Sequence, residues 1–154
     1  MFEKIQHMGY LTPDLEEAVA WFEKSFGAIN AGGGPLNKSI AMPTGGRNAY
    51  MRFGNAEAEL LEPEDKTGLS SEVLTMHHVG YVVADIDRAI DDLTARGFKF
   101  AGDKPFTNVM GQTLLYFDPT TTNGVLMHIT QLPGEPVAAN NGFEVERIEL
   151  SHPA

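Results

Sequence analysis

The chain of 154 residues contains no cysteine, and this absence excludes several kinds of chemistry. Without cysteine there is no disulfide framework, no thiolate metal site and no cysteine nucleophile. Any bound metal ion must therefore take its ligands from histidine, aspartate or glutamate.

Basic residues are also scarce. Eleven Lys and Arg residues stand against 21 Asp and Glu, and the formal net charge is -10 at pH 7. Charge of this sign opposes contact with polyphosphate, and the few cations form no dense basic stripe. We therefore expect a small-molecule substrate and no nucleic-acid partner. Arg47 and Arg52 fit either contact with an anionic substrate or a solvated position at a strand end.

Long hydrophobic runs are missing as well. No apolar stretch approaches the length that crosses a bilayer, and the first residues lack the pattern of a cleaved secretion signal. These features predict a cytoplasmic protein without membrane contact. The length and the hydrophobic content of 42% suit one core, so we assign residues 1–154 to a single domain.

What the sequence does contain is an internal repeat. The segment HMGYLTPDLEEAVAWF begins at His7, and HVGYVVADIDRAIDDL begins at His78. His, Gly, Tyr, Asp and Ala recur between the two segments at one fixed offset. A repeat of this length predicts two related structural units.

Each copy has the pattern of a strand followed by a helix. Residues alternate through FEKIQHMGYL and MHHVGYVV as in a half-buried strand. Asp14 and Asp85 stand where a helix N-cap is expected, and Gly27 and Gly97 stand where each helix should end. Apolar residues at helical spacing follow both caps: Leu15, Ala18, Val19 and Phe22 in the first copy, and Ile86, Ala89, Ile90 and Leu93 in the second.

Three strand-like segments follow each helix: KSIAMP, NAYMRFG and AEAELLEP in the first half, and FKFAG, QTLLYFD and GVLMHITQ in the second. The sequence therefore predicts an α+β fold of two tandem βαβββ modules, at about residues 3–64 and 75–132. Residues 133–154 form a polar C-terminal tail. The Gly-rich segments AGGGPL and PTGGRN lack the ending of a phosphate-binding loop, and they favour flexible loops.

Symmetry between the halves predicts a metal site. AELLEP and MHITQL align at a slightly shorter offset than the opening repeat, and this alignment pairs Glu59 with His128. If an approximate twofold axis relates the halves, the first and last strands bring His7, Glu59, His78 and His128 to one centre. A lone strand histidine is more often a packed or surface residue, whereas three at related positions favour metal ligands.

This arrangement resembles the vicinal oxygen chelate superfamily of glyoxalase I, methylmalonyl-CoA epimerase, extradiol dioxygenases and bleomycin-resistance proteins. The resemblance covers about residues 3–131 and is closest to the epimerase and glyoxalase branches. It implies a curved mixed sheet around a metal-binding cleft. The ligands that it implies fall on His7, Glu59, His78 and His128, and at His128 the family usually has glutamate.

Histidine at position 128 changes the chemistry that the resemblance implies. One carboxylate and three neutral imidazoles leave a divalent ion with one net positive charge, which makes a stronger Lewis acid. The set favours one divalent ion of zinc, iron, cobalt, nickel or manganese over calcium or magnesium. The related isomerases use glutamates as proton acceptors, but none stands near Met42. Glu59 and His128 are therefore the candidate catalytic residues, and His128 would act as a base only by leaving the metal.

Three functions remain open. The first is a metal-dependent isomerase or lyase that chelates vicinal oxygens of a small keto, hydroxy or acyl-thioester substrate through an enediolate-like intermediate. The alternatives are an iron-dependent dioxygenase and a non-catalytic small-molecule binding or resistance protein. An enzyme is favoured because binding alone requires no aligned ligand set.

The tail adds an expectation about assembly. Many members of the resembling superfamily pair two chains, and apolar residues occur in the tail amid charge: Phe143, Val145, Ile148 and Leu150. Such residues suit an intermolecular strand or arm, and we expect a homodimer.

Overall fold

The computed structural model of the protein describes three stretches of the chain: residues 1–33, 45–108 and 110–134. They fold into two compact units. The first unit is drawn from residues 8–77, and the second unit combines residues 1–7 with residues 78–134. The opening strand β1 (Lys4–Leu11) contributes residues to both units.

The first unit packs one helix on a sheet. Along the chain, β1 is followed by α1 (Leu15–Phe26), β2 (Ile29–Gly33), β3 (Gly46–Phe53) and β4 (Ala56–Pro63). The strand order is β2-β3-β4-β1, in which β1 and β4 are parallel and the other pairs are antiparallel. The predicted apolar face of α1 is buried and joins residues of β3 and β4 in one hydrophobic core.

The second unit repeats this plan. It contains β5 (Thr75–Val82) from His78 onward, α2 (Ile86–Ala95), β6 (Phe106–Thr107), β7 (Thr113–Tyr116) and β8 (Met127–Gln131). The strand order is β1-β5-β8-β7-β6, and β5 runs parallel to β8. The predicted α+β fold class with two βαβββ modules is therefore confirmed, whereas the boundaries of the single domain and its tail stay predictions.

The helix limits agree with the sequence. The Asp14 side chain accepts a hydrogen bond from the Glu17 N–H, and the Asp85 side chain accepts one from the Arg88 N–H. Gly27 ends α1 in the left-handed conformation (φ 63°). Glycine adopts this conformation readily because it has no side chain to clash with the backbone.

A second contact anchors the start of each helix. The Leu15 N–H donates to the Glu62 carboxylate at 2.6 Å, and the Ile86 N–H donates to the Gln131 side-chain oxygen at 2.9 Å. In both units the acceptor lies at the end of the strand that pairs in parallel with the unit's opening strand. We call these two contacts the helix latches. The two units are therefore alike in the order of their strands and also in the side-chain contact at the start of each helix.

The first helix latch is charged. Burial opposes ionisation of Glu62, but hydrogen bonds from the Leu15 amide, Lys66 and Arg47 outweigh it and hold the pKa of Glu62 below its ordinary value. A hydrogen bond to Glu16 raises the pKa of Arg47, which makes two contacts of 2.6 Å with that carboxylate. Arg52 pairs with Glu57 at 2.8 Å. These contacts favour strand-end ion pairs for both arginines.

Two strand predictions and one loop prediction need comment. FKFAG does not form a strand: Phe100 makes one isolated bridge to Phe117, and β6 forms at Phe106–Thr107 instead. Phe98 and Phe100 pack their rings on Phe117, so the alternating pattern reflects burial and not ladder pairing. Gly32 and Gly33 lie in β2 and Gly46 begins β3, where flexible loops were expected. KSIAMP lies outside the described residues.

No helix in the described stretches has the length and apolar character needed to cross a membrane. The cellular location expected from the sequence stays a prediction.

Candidate metal centre

Three histidines of the second unit meet in its interior. His7 lies on β1, His78 on β5 and His128 on β8, and they are only 4%, 2% and 3% exposed. Each offers one ring nitrogen, and these three nitrogens lie within 4.8 Å of one another. Three imidazoles converging in a buried position form a set of donors suited to a divalent transition ion.

One of the two close nitrogen pairs has the spacing expected for a shared ion, and the other has the spacing of a hydrogen bond. Two imidazoles on one tetrahedral zinc-sized ion have nitrogens about 3.3 Å apart, given bonds of about 2.0–2.1 Å. His128 Nε2 lies 3.4 Å from His7 Nε2. His7 Nε2 and His78 Nε2 lie 2.8 Å apart, the distance of a hydrogen bond between the two rings. The spacing of His128 and His7 therefore fits a metal ion bound through Nε2, whereas the His7–His78 pair must give up its shared proton and separate by about 0.5 Å to bind the same ion.

Gly80 provides the space in which the rings converge. A Cβ atom at this position would lie 2.6 Å from Cε1 and 2.8 Å from Nε2 of His128, and 2.9 Å from Cε1 of His7. Real Cβ atoms essentially never approach other atoms so closely. The rings can therefore occupy these positions only because residue 80 has no side chain.

His128 is held from two sides within the second unit. Thr130 Oγ1 lies 2.8 Å from His128 Nδ1, and Thr130 is fully buried. The Tyr116 ring packs against the His128 ring with centroids 4.9 Å apart. Both contacts limit the directions in which the imidazole can point.

Glu59 belongs to the first unit and has its own hydrogen-bonded environment. It is 8% exposed, and Asn48 Nδ2 and the Tyr50 hydroxyl both donate to its Oε1, at 2.8 and 2.9 Å. Two donors on one oxygen stabilise the charged carboxylate and fix its orientation. Its place in a common ligand set with the histidines stays a prediction.

Strand register supports the pairing of Glu59 with His128 as equivalent positions. Gly9 on β1 pairs with Glu59 on β4, and Gly80 on β5 pairs with His128 on β8. On the neighbouring antiparallel strands, Tyr50 lies opposite Glu59 and Tyr116 lies opposite His128. The two units therefore present related positions with different candidate ligands.

Sequence reasoning identified the three histidines but missed the residues around them. The glycine of HMGY and HVGY was visible in the repeat, and its position two residues after each histidine was the signal for Gly80. Nothing in the sequence marked Thr130, Asn48, Tyr50 or Tyr116, because their roles depend on strand register. The position that Met42 occupies and the apolar tail residues lie outside the described stretches.

Comparison with known families identifies a match over most of the chain. Residues 6–117 match the family described as the Glyoxalase/Bleomycin resistance protein/Dioxygenase superfamily. The resemblance stated from the sequence is confirmed by this match.

Curated relatives extend the comparison. The human mitochondrial methylmalonyl-CoA epimerase is 24% identical over 135 residues, which cover 83% of this chain and 73% of that protein. The ethylmalonyl-CoA/methylmalonyl-CoA epimerase of Cereibacter sphaeroides is 28% identical over 140 residues, which cover 86% of this chain and all (100%) of that protein.

Solved structures agree on the fold. Methylmalonyl-CoA epimerase from Mycobacterium tuberculosis superposes with a TM-score of 0.74 at 19% identity, covering 90% of this chain and 92% of that one. A variant of the Streptomyces coelicolor methylmalonyl-CoA epimerase, in complex with 2-nitronate-propionyl-CoA, superposes with a TM-score of 0.73 at 20% identity. That match covers 87% of this chain and 100% of the other.

Proposed function

The chain belongs to the glyoxalase/bleomycin resistance protein/dioxygenase superfamily, and from this we propose that it is a metal-dependent isomerase acting on an acyl thioester such as methylmalonyl-CoA. The expectation of an isomerase-type enzyme is confirmed, since the curated relatives described above are epimerases. The observation that carries the metal-dependent part is the convergence of three buried imidazoles within 4.8 Å.

His7, His78 and His128 would hold the ion through neutral imidazole nitrogens. A divalent ion there supplies Lewis acidity, which stabilises negative charge on a substrate oxygen when the neighbouring carbon loses a proton. We propose Glu59 as the fourth ligand, on the strength of the repeat and the resemblance. The ion is one of zinc, iron, cobalt, nickel or manganese, because these suit an imidazole-rich set.

Glu59 and His128 are the proposed catalytic residues because His128 stands where the resembling superfamily usually has glutamate, and Glu59 is the carboxylate at the equivalent position of the first unit. For His128 the contacts support a fixed ligand in preference to a mobile base. Its Nε2 lies 3.4 Å from His7 Nε2, and its Nδ1 lies 2.8 Å from Thr130 Oγ1. The Thr130 contact and the Tyr116 ring hold the imidazole in place, so release of the ring from the ion would disturb both.

The proposal is tested by proton exchange. The purified protein is stripped of metal, reloaded separately with zinc, cobalt, manganese or anaerobic ferrous iron, and incubated with methylmalonyl-CoA in D₂O. We expect deuterium at the carbon next to the thioester carbonyl in the metal-loaded protein and none after chelation. A fully loaded protein that exchanges no proton on this thioester would overturn the proposed substrate class.

His78→Ala and His77→Ala form a matched pair for the metal part. Successive strand residues point to opposite faces, so the two substitutions remove the same side chain on different sides of β5. We expect His78→Ala to lose most of its bound metal and its exchange activity, and His77→Ala to retain both. Full metal occupancy in His78→Ala would show that the centre lies elsewhere.

The same preparations distinguish the two alternatives expected from the sequence. Oxygen consumption with a catechol in the iron-loaded protein would favour the dioxygenase. Tight binding of a small molecule without metal and without exchange would favour the binding protein.

A further inference from the structure

We propose that Thr130 is a positioning residue that selects the tautomer of His128 and thereby directs its Nε2 lone pair to the metal centre. This inference rests on the metal-binding part of the proposed function. Thr130 and His128 lie two positions apart on β8 and therefore on the same face of the strand. Thr130 is fully buried and His128 is 3% exposed, so the 2.8 Å contact between Oγ1 and Nδ1 is shielded from water.

The direction of this hydrogen bond affects how strongly His128 can bind metal. A neutral imidazole carries one N–H group and one acceptor nitrogen. When Nδ1–H donates to Thr130 Oγ1, Nε2 keeps the lone pair that a metal ligand requires. When the proton is on Nε2, that lone pair is lost. Metal-binding histidines usually donate their second nitrogen to a neighbouring acceptor, and Thr130 offers that acceptor here.

The equivalent positions of the first unit show that this support is matched to the type of ligand. Leu11 pairs with Leu61 on β4, and Val82 pairs with Thr130 on β8. Leu61 therefore occupies the position of Thr130, two residues after Glu59. A leucine offers no hydrogen bond, so Glu59 receives none from its own strand at this place.

On the adjacent strand the pattern is reversed. Asn48 on β3 lies opposite Leu61, and Leu114 on β7 lies opposite Thr130. The unit with the carboxylate has its polar partner on β3, where an amide donates to Glu59. The unit with the imidazole has its polar partner on β8, where the Thr130 hydroxyl lies within hydrogen-bond distance of His128 Nδ1. This exchange of polar and apolar residues indicates that Thr130 serves His128 and is not a general feature of the repeat.

Three substitutions test the inference. Thr130→Val removes the hydroxyl at nearly constant volume, and Thr130→Ser retains it. Thr122→Val is the control, because Thr122 is also buried and donates its hydroxyl to the Val125 carbonyl at 2.7 Å, away from the histidines. Zinc affinity is measured by competition with a chromogenic chelator. We expect Thr130→Val to lose about 10–100-fold in affinity, and the other two variants to stay close to the wild type.

The tautomer is measured directly in the metal-free protein. Long-range ¹H–¹⁵N correlation spectra of the histidine rings should show a protonated Nδ1 for His128 in the wild type and in Thr130→Ser. Thr130→Val should shift the population toward the Nε2–H form. A wild-type His128 protonated at Nε2, or a Thr130→Val variant with unchanged tautomer and affinity, would overturn the inference.

These measurements do not depend on turnover. A protein that binds zinc as described but exchanges no thioester proton would contradict the proposed substrate and leave the role of Thr130 supported. Because the wild-type spectrum is informative by itself, the inference stays falsifiable even if Thr130→Val fails to fold.

Discussion

At the scale of single residues, Gly80 is the position where the smallest change should have the largest effect on the metal centre. A methyl group there would overlap the His128 and His7 rings. We expect Gly80→Ala to lose most metal binding and to keep its fold, because the clashing atoms are the ends of histidine side chains that can move aside. Bound metal is measured by elemental analysis and the fold by circular dichroism.

Gly102→Ala is the matched control for this prediction. A Cβ atom at Gly102 would make only an ordinary contact of 3.5 Å with Leu115. It should keep the wild-type metal content. Equal metal content in the two alanine variants would show that the histidine rings tolerate a side chain beneath them.

The hydrogen bonds to Glu59 lead to a second prediction. Tyr50→Phe removes a hydroxyl that donates to the buried Oε1 at 2.9 Å. Because the loss of one partner leaves a buried charged group less well satisfied, we expect the free energy of unfolding to fall by about 1.5–3 kcal/mol. Urea denaturation of the metal-free protein measures this change.

Tyr10→Phe serves as the comparison for Tyr50→Phe. Among the described residues, the hydrogen-bond contact of the Tyr10 hydroxyl is a long one of 4.0 Å to the Met8 sulfur. Its removal should cost less than about 0.5 kcal/mol, the usual range for substitutions away from a buried polar contact. Similar costs for the two substitutions would contradict the role assigned to Tyr50.

At the scale of elements, the two helix latches should differ in their response to acid. The pKa of Glu62 lies below its ordinary value of 4.5, so its carboxylate stabilises the fold above the pKa of the unfolded state. That contribution is lost as pH falls through the lower, folded-state pKa. Glu62→Gln keeps an acceptor for the Leu15 N–H but loses the charge that attracts Arg47 and Lys66.

We therefore expect Glu62→Gln to lose less stability than the wild type on acidification from pH 7 through the ordinary pKa of 4.5 and below. At pH 7 the substitution itself should cost less than about 1 kcal/mol. Urea midpoints across this interval provide the measurement. Gln131→Ala, at the neutral latch, should lower stability by a similar amount at every pH. Parallel pH profiles for wild type and Glu62→Gln would contradict the assigned ion pairs.

Helix ends were easier to predict from the sequence than the positions of strands. The caps at Asp14 and Asp85 were predictable because a carboxylate at a helix start satisfies free N–H groups locally. The strand expected at FKFAG was wrong because Phe98 and Phe100 are apolar for packing on Phe117. β2 was not anticipated, since its sequence INAGG carries little apolar pattern and Gly-rich strands resemble loops.

At the scale of the whole molecule, the positions of the candidate ligands were more predictable than their surroundings. An internal repeat relates strand positions directly, so the three histidines and the equivalence of Glu59 with His128 followed from alignment alone. Thr130 and Asn48 could not be assigned from the alignment of the two halves. Their roles depend on which residues lie opposite each other on neighbouring strands, and the alignment does not give this register.

The homodimer expected from the tail also belongs to this scale and stays a prediction. Light scattering of the full chain at micromolar concentrations should give twice the 16.8 kDa of one chain. A variant that ends at Gly134 should dissociate if Phe143, Val145, Ile148 and Leu150 form the intermolecular contact. A monomeric mass for the full chain would rule out the dimer.

The reversed placement of polar partners in the two units has an evolutionary consequence. Exchange of the candidate ligand alone, as in His128→Glu, would set a carboxylate beside Leu114 and Thr130, without the amide that Asn48 gives to Glu59. The effect of each ligand substitution therefore depends on the residue present on the adjacent strand, which is epistasis in a structural form. The two halves differ both in the candidate ligand and in its polar partner, so we expect an exchange of the ligand to need a matching change on the adjacent strand.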